Sequence, residues 1–131
     1  MVHRRVGMKN IGFLFLLIGL FSMFACTSAE VKAVRSMPIN HVDLSQVKDG
    51  EYSGEYTYGG FSYEVKVMVA DHHMKDIVLT RNRTTKQAKM AEGVVKTILD
   101  QQKNDVDVVS GATTTSKALL KCVENALVKG L

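Results

Sequence analysis

Hydrophobic and polar residues follow three different patterns along the chain. An uncharged apolar run covers residues 11–25, and the polar stretch 27–46 after it has little periodicity. Apolar residues then alternate with polar ones within 51–80 and recur at a helical spacing from position 86 onward. Because alternation is typical of strands and a period of about 3.6 of helices, the sequence predicts a β-rich half followed by a helical half.

The β-rich half is predicted to contain three strands. Residues 61–69 alternate strictly, so that one face carries Phe61, Tyr63, Val65, Val67 and Val69. A shorter strand is predicted before this one, at 51–56. The Gly-Gly pair at 59–60 between the two strands can take the positive φ of a tight turn. A polar break at 71–73 leads to a third strand at about 76–80. These strands predict an antiparallel meander with one buried face.

Two helices are predicted in the second half, over residues 86–101 and 114–129. Their apolar stripes consist of Ala91, Val94, Val95, Ile98 and Leu99 in the first helix and of Leu119, Cys122, Val123, Ala126 and Leu127 in the second. Each stripe can cover one side of a sheet. The order of elements therefore predicts an α+β domain over residues 48–131, with two helices packed against one side of the antiparallel β-meander.

Composition and charge change the picture at the amino-terminal end. The 131 residues carry a formal net charge of +4 and suffice for one small domain. Arg4, Arg5 and Lys9 precede the apolar run, which ends on a small residue directly before Cys26. As a helix this run would reach about 22 Å, less than the roughly 30 Å of a hydrocarbon core. We therefore interpret residues 1–25 as a secretory signal peptide.

Residues 23–26 resemble the lipobox of bacterial lipoproteins. The resemblance implies that Cys26 is lipidated and becomes the first residue of the mature chain, at the extracytoplasmic face of a membrane of the bacterial cell envelope. Ordinary cleavage near Ala25 or Ala29, which would give a soluble secreted protein, remains the alternative. Residues 26–47 are polar and contain the only Pro of the chain, so they are interpreted as a tether.

The mature chain would be nearly neutral. Removing the signal peptide leaves 106 residues with 14 of the 17 basic and all 13 acidic side chains, a net charge of +1. A basic chain would suggest binding to the phosphates of a nucleic acid, and the nearly neutral mature chain removes that argument. No metal site is predicted, because the adjacent His72 and His73 cannot face one ion from a regular strand. Cys122 is interpreted as a small buried hydrophobe.

The residues with the clearest chemistry lie at 107–116, directly before the last helix. This segment combines an acidic residue, a Gly-containing turn and five hydroxyl side chains. A helix start exposes unpaired N–H groups and the positive end of the helix dipole, which suits a phosphate group, and Gly111 and Ala112 leave room for it. Ser and Thr are also common N-caps, so the residues alone leave capping and an anion site both open.

The same segment resembles the flavinylation motif of the FMN-binding domain family. The matching positions are Asp107, Ser110, Gly111, Ala112, Thr113, Thr115 and Ser116. Residues 49–54 are also similar to the opening strand of the family, so the resemblance covers essentially the whole mature domain. Members include the G subunit of Rnf-type electron-transport complexes, the C subunit of the sodium-pumping NADH:quinone oxidoreductase and small extracytoplasmic flavoproteins.

The resemblance implies a covalent cofactor. Thr113 would carry FMN through a phosphoester, with the turn of Ser110, Gly111 and Ala112 around the phosphate. Asp107 and Ser116 would belong to the motif read by a flavin transferase that uses FAD and Mg²⁺. Thr114 and Thr115 are chemically able to compete, so the choice of Thr113 rests on the resemblance.

The function implied is that of an electron carrier or oxidoreductase component rather than a stand-alone enzyme. The protein would transfer electrons between a membrane donor and an acceptor protein, and no catalytic acid, base or nucleophile is required. The alternative is a cofactor-free lipoprotein that uses the same fold as a binding or assembly module.

Two further groups of residues are candidates for cofactor contact. The aromatic residues Tyr52, Tyr56, Tyr58, Phe61 and Tyr63 could stack on the isoalloxazine ring or form the core of a hairpin. The basic residues after the third predicted strand could contact phosphate or a partner, or could belong to a solvated loop; they are Arg81, Arg83 and Lys86.

Overall fold

A computed structural model describes residues 28–131. The predicted signal peptide at 1–25 and the predicted lipidation site Cys26 lie outside the described residues. Residues 28–36 form helix α1. The elements that follow a single 3-10 turn at Leu44–Gln46 are β1 (Gly50–Tyr58), β2 (Phe61–Ala70), β3 (His73–Arg81), α2 (Lys86–Ala91), α3 (Gly93–Gln101) and α4 (Thr113–Val128).

The sheet is the predicted antiparallel meander, with strand order β1-β2-β3. Both connections are two-residue turns with positive φ throughout, at Gly59 and Gly60 (60° and 72°) and at Asp71 and His72 (52° and 61°). Positive φ at both central residues gives a turn whose twist matches that of the strands. Because pairing continues up to these turns, the strands are longer than the alternation alone predicted.

The buried face of β2 is the one that the alternation predicted. Tyr63, Val65, Val67 and Val69 are buried, whereas Phe61, next to the turn, is only partly buried. Their neighbours point to the opposite face of the sheet, as the two-residue repeat of a strand requires. All the helices that follow the sheet contact this core, so the domain is the predicted α+β arrangement.

The predicted helix over 86–101 is wrong in one respect, because it is divided in two at Glu92. The Glu92 N–H closes α2 on the carbonyls of Lys89 and Met90, and α3 begins at Gly93. The Glu92 carboxylate accepts a hydrogen bond from Asn82 Nδ2 at 3.1 Å, which ties the break to the end of β3. The apolar spacing continues across the break, and the one local signal is Gly93, which weakens a helix by about 1 kcal/mol relative to Ala.

Helix α4 crosses β1 at Gly54. A Cβ at this glycine would lie 1.8 Å from the carbonyl oxygen of Cys122 and 2.6 Å from the N of Ala126, so a side chain cannot be accommodated there. Asn125 Nδ2 and Lys129 Nζ donate to the carbonyls of the edge strand β1 at Glu55 and Ser53. These contacts fix the position of α4 along β1. The amino-terminal end of the helix therefore lies near the β1–β2 turn.

The predicted tether is not a free segment over residues 28–47. Val34, Val42 and Val47 are buried in the core. The buried Asn104 accepts a hydrogen bond from the Val42 N–H at 2.9 Å and donates to the Asn40 carbonyl at 2.6 Å. The three valines are too irregularly spaced to be recognised as a core pattern, and their partners lie far away in the sequence. The segment is therefore packed onto the domain.

Within residues 28–131, no helix has the length and apolar character needed to cross a membrane.

Candidate functional site

The turn before α4 depends on a glycine conformation. Gly111 has a φ of 83°, in the left-handed region that favours glycine, and the Ala112 N–H closes the turn on the Val109 carbonyl at 3.0 Å. A Cβ at Gly111 would meet Met90 Cε at 3.6 Å, which is an ordinary contact. The backbone conformation, rather than a lack of space, therefore requires glycine at this position.

No side chain caps α4 within the part of the chain that the structure describes. Ala112 occupies the N-cap position and provides no hydrogen-bonding side chain, although Ser and Thr residues flank it on both sides. Of the two interpretations that the sequence left open, capping is therefore not realised. The N–H groups of the first turn remain available to an anion, in the positive field of a helix of 16 residues.

Ser116 has a structural position in the motif. Its side chain is fully buried, and its Oγ accepts a hydrogen bond from the Val109 N–H at 3.1 Å. This bond ties the loop before Gly111 to the first turn of α4. A transferase cannot contact Ser116 in the folded domain without opening the turn, and the prediction that it is read during modification stays a prediction.

The three consecutive threonines differ in what their hydroxyl groups contact. The Thr114 Oγ1 accepts a hydrogen bond from Arg35 Nε at 3.0 Å. Thr115 is 8% exposed, and it lies close enough to the Tyr63 phenol to lower the pKa of that group. Thr113 is half-buried, and its hydroxyl makes no hydrogen bond within residues 28–131. Thr113 therefore combines accessibility with an unengaged hydroxyl, which the sequence spacing alone could not reveal.

Asp107 and Ser110 lie exposed on the loop before the turn. They flank Val108 and Val109, which are half-buried against the core. The exposed position leaves the acidic residue accessible to a partner protein, and its predicted role in recognition by the transferase stays a prediction.

Helix α1 adds residues that the sequence analysis did not find. Glu30 Oε1 accepts a hydrogen bond from the Gly59 N–H at 2.9 Å, and Arg35 contacts Thr114. Lys117 of α4 donates to the Met37 carbonyl at 3.0 Å. The helix thus joins the β1–β2 turn to the start of α4. No local signal identifies Glu30 or Arg35, because their partners are close only in the folded chain.

Four of the five aromatic candidates gather at the β1–β2 turn, beside the start of α4. The rings of Tyr58 and Tyr63 stack with centroids 5.4 Å apart, and the Tyr63 hydroxyl donates to that of Tyr58 at 3.2 Å. Phe61 meets Tyr63 edge-on at 5.0 Å, and Tyr56 lies 6.4 Å from Tyr58. Tyr52 lies elsewhere, with its hydroxyl on the Lys48 carbonyl.

Burial dominates the electrostatics of this cluster. It raises the pKa of the Tyr63 phenol above its usual value, and the hydrogen bond with Tyr58 acts in the same direction. The Arg83 charge and the hydrogen bond from Thr115 oppose the rise. The phenol therefore stays protonated and donates its hydrogen bond to Tyr58.

The structure separates the three basic candidates. Arg83 lies over the aromatic cluster, with its guanidinium carbon 5.5, 5.1 and 6.0 Å from the ring centroids of Tyr58, Phe61 and Tyr63. Arg81 and Lys86 are exposed. Of these three residues, Arg83 is the one that packs on Tyr63, and Tyr63 lies next to Thr115 in the first turn of α4.

Two further predictions concern the Cys122 thiol and the absence of a metal site. Cys122 is buried, as expected for a small hydrophobe, and burial raises the pKa of its thiol to about 12. Among residues 28–131, no group of three or more His, Cys, Asp or Glu side chains has an arrangement that could hold a metal ion.

Fold and site together define a small α+β domain whose last helix begins at an uncapped, hydroxyl-rich turn. A family model described as FMN-binding domain matches residues 57–128, from the end of β1 to the end of α4. A search of curated proteins gave no significant match. The chain belongs to the FMN-binding domain family, and it is a flavin-binding protein.

The residues present fit such a cofactor. The left-handed Gly111 turn and the uncapped helix start provide a cradle for a phosphate, and the neighbouring Thr113 hydroxyl is unengaged among residues 28–131. In the same part of the chain, a buried guanidinium nitrogen of Arg83 has no hydrogen-bond partner and lies beside the aromatic rings.

Proposed function

We propose that this protein is an extracytoplasmic electron carrier with FMN bound covalently to Thr113. Family membership supports the flavin, and the environment of Thr113 supports the point of attachment. Within residues 28–131 its hydroxyl is unengaged at an uncapped helix start, whereas the hydroxyls of Thr114 and Ser116 accept hydrogen bonds and Thr115 is buried. This contrast between neighbouring hydroxyls is the observation that carries the proposal.

The bond to the cofactor would be made by a flavin transferase with FAD and Mg²⁺. Thr113 Oγ would bond to the phosphorus of the FMN half of FAD as the pyrophosphate bond breaks. AMP would leave with the bridging oxygen, and the threonine hydroxyl would lose its proton. The N–H groups of the first turn of α4 would then face the phosphate oxygens, and Gly111 and Ala112 would allow their close approach.

The bound flavin would supply exchange of one or two electrons. The chain itself would hold and shield the cofactor, and it would need no catalytic acid or base. A covalent bond makes retention independent of affinity, which matters for a carrier outside the cytoplasm, where a released cofactor is lost by dilution. The partners would be a membrane donor and an acceptor protein.

We also propose that lipidated Cys26 anchors the protein at the extracytoplasmic face of a bacterial membrane. Residues 28–47 pack onto the domain, so a chain anchored at Cys26 would hold the domain close to the lipid surface. Such closeness favours exchange with a membrane-embedded donor over exchange with a distant soluble one.

Intact-mass measurement after co-expression with a flavin transferase tests the attachment. The wild-type chain should gain the mass of one FMN less one water, and Thr113→Ala should gain nothing. Thr114→Ala is the matched control and should be modified like the wild type. A wild-type chain without added mass would favour the cofactor-free module, whereas a gain lost only in Thr114→Ala would move the site by one residue.

A further inference from the structure

The guanidinium of Arg83 contains a buried donor that the domain leaves unused. Among the described residues, Arg83 Nε is the one buried side-chain nitrogen or oxygen without a hydrogen-bond partner. Folded proteins rarely leave a buried donor unpaired, because its interaction with water is lost without replacement. An unpaired donor on a cation therefore indicates an acceptor that comes from outside the described residues.

Arg83 is held in position by its surroundings. Asn82 Oδ1 accepts a hydrogen bond from the Arg83 N–H at 2.8 Å, and Asn82 Nδ2 donates to the Ala88 carbonyl at 3.0 Å, which fixes the loop between β3 and α2. A Cβ at Gly59 would lie 3.2 Å from a terminal nitrogen of Arg83, so the guanidinium fills the space beside the β1–β2 turn. The side chain is thus packed in a defined orientation.

This position lies at the same end of the domain as the proposed attachment residue. Arg83 lies over the ring of Tyr63, and Thr115 is close enough to the Tyr63 phenol to lower its pKa. Thr115 and Thr113 both belong to the first turn of α4. A flavin bound through its phosphate at Thr113 has a flexible ribityl chain between phosphate and ring, which allows the ring to reach this end of the sheet.

We propose that Arg83 and the partly exposed Phe61, which lie on the buried rings of Tyr58 and Tyr63, form the site for the isoalloxazine ring, with the Arg83 guanidinium donating to its pyrimidine edge. This inference rests on the proposed function. The isoalloxazine ring is flat and aromatic, and its pyrimidine edge presents carbonyl oxygens and a ring nitrogen as acceptors. The partly exposed face of Phe61 offers ring contact, and Arg83 offers the missing partner for those acceptors.

A cation at this edge would raise the reduction potential of the cofactor. Uptake of two electrons from the donor and one proton from water leaves the ring with one additional negative charge, which is concentrated at the pyrimidine edge. A guanidinium in a partly desolvated site stabilises that charge more than it stabilises the oxidised ring. Arg83 is therefore a positioning and tuning residue for the cofactor.

Potentiometry on the flavinylated full-length chain tests the inference. Arg83→Met, Arg83→Lys and the control Arg81→Met are prepared by co-expression with the transferase, and intact mass confirms the FMN load of each. Titration with dithionite should give a lower potential for Arg83→Met than for the wild type, an intermediate value for Arg83→Lys and an unchanged value for Arg81→Met. Equal potentials for wild type, Arg83→Met and Arg83→Lys would overturn the inference, as would equal decreases in Arg81→Met and Arg83→Met.

A second measurement separates this inference from covalent attachment. Riboflavin lacks the phosphate, so it cannot be attached and probes the ring site alone. The unmodified wild-type chain should quench riboflavin fluorescence, and Arg83→Met should bind on the order of tenfold more weakly, as expected for loss of one hydrogen bond from a charged donor. Thr113→Ala should bind like the wild type even though it cannot be flavinylated. If the wild type does not quench riboflavin fluorescence, the proposed ring site is wrong, whether or not the mass measurement shows attached FMN.

The same variants distinguish the ring from the phosphate as the acceptor. If Arg83 contacted the phosphate instead, Arg83→Met would shift the ³¹P resonance of the attached FMN and leave riboflavin binding unchanged. That result would also overturn the inference. A circular dichroism spectrum of each variant shows that it is folded, and Arg83→Lys keeps the test decisive if Arg83→Met does not fold.

Discussion

The Val109 N–H donates to Ser116 Oγ at 3.1 Å, and this bond closes the Gly111 turn onto the first turn of α4. Part of the motif at 107–116 therefore stabilises the turn itself. Ser116, seven residues after the donor, is buried in the core, while Ser110 and Gly111 in the turn between them are exposed. Thr113, in the same stretch, is half-buried, and its hydroxyl makes no hydrogen bond within residues 28–131.

Ser116→Ala should destabilise the domain and loosen the turn. It removes the acceptor of the Val109 N–H, and loss of such a bond costs about 1–2 kcal/mol. Chemical denaturation should give this decrease in the free energy of unfolding, and flavinylation by the transferase should slow. Ser110→Ala, at an exposed position of the same loop, should change stability by less than about 0.5 kcal/mol. Equal stability of the two variants would contradict the structural role of Ser116.

Gly54→Ala should be among the most damaging single substitutions in the sheet. Its Cβ would meet backbone atoms of α4 at 1.8 and 2.6 Å, so the helix must move away from β1. Overpacking of this kind costs about 3 kcal/mol or more. Gly60→Ala is the comparison, because nothing lies within 4 Å of its Cβ and only the positive φ opposes it. Its cost should be about 1 kcal/mol, and a reversed order in thermal unfolding would contradict the crossing at Gly54.

Asn104→Ala should release the amino-terminal segment from the domain. The substitution leaves the Val42 N–H and the Asn40 carbonyl without their partner, at a cost of about 2 kcal/mol. Hydrogen exchange at the Val42 amide should accelerate, and residues 28–47 should become sensitive to protease. Lys103→Ala, next to it and exposed, should have neither effect. Protection unchanged in Asn104→Ala would mean that the segment is held by other contacts.

The pair of His41 and Asp105 should make stability depend on pH in acid. The hydrogen bond from His41 Nδ1, at 3.0 Å, lowers the pKa of the Asp105 carboxyl below its usual value. A lowered carboxyl pKa contributes stability that is complete above the unfolded pKa of about 4 and is lost as the pH falls through the folded value. Asp105→Asn and His41→Gln should both flatten the loss of unfolding free energy below about pH 4. An unchanged acid dependence in both variants would contradict the contribution of this pair.

The sheet and the last helix could be predicted from the sequence because each has one buried face. Alternation in β2 requires Val65, Val67 and Val69 to share that face, and the structure confirms it. The division of the helix at Glu92 could not be predicted from the apolar spacing, because that spacing continues through it. At the break, Gly93 is a weak helix former, and Glu92 accepts a hydrogen bond from Asn82, which only the folded chain brings close.

The same limit applies to the site. The motif at 107–116 identified the chemistry, but the difference between three adjacent threonines depends on Arg35 and Tyr63, which are distant in sequence. Likewise, Arg81 and Arg83 are equivalent in composition, and only the packing of Arg83 over the aromatic cluster separates them. Residue types can be read from a sequence, whereas the partners of each side chain are a property of the fold.

The most direct test of the central claim is to locate the flavin on the chain. Trypsin should release residues 104–117 of the co-expressed protein as one peptide, since Lys103 precedes it and Lys117 ends it. Fragmentation of this peptide in a mass spectrometer should place FMN, joined through its phosphate, on Thr113 alone. An unmodified peptide, or FMN on Thr114 or Thr115, would contradict the account.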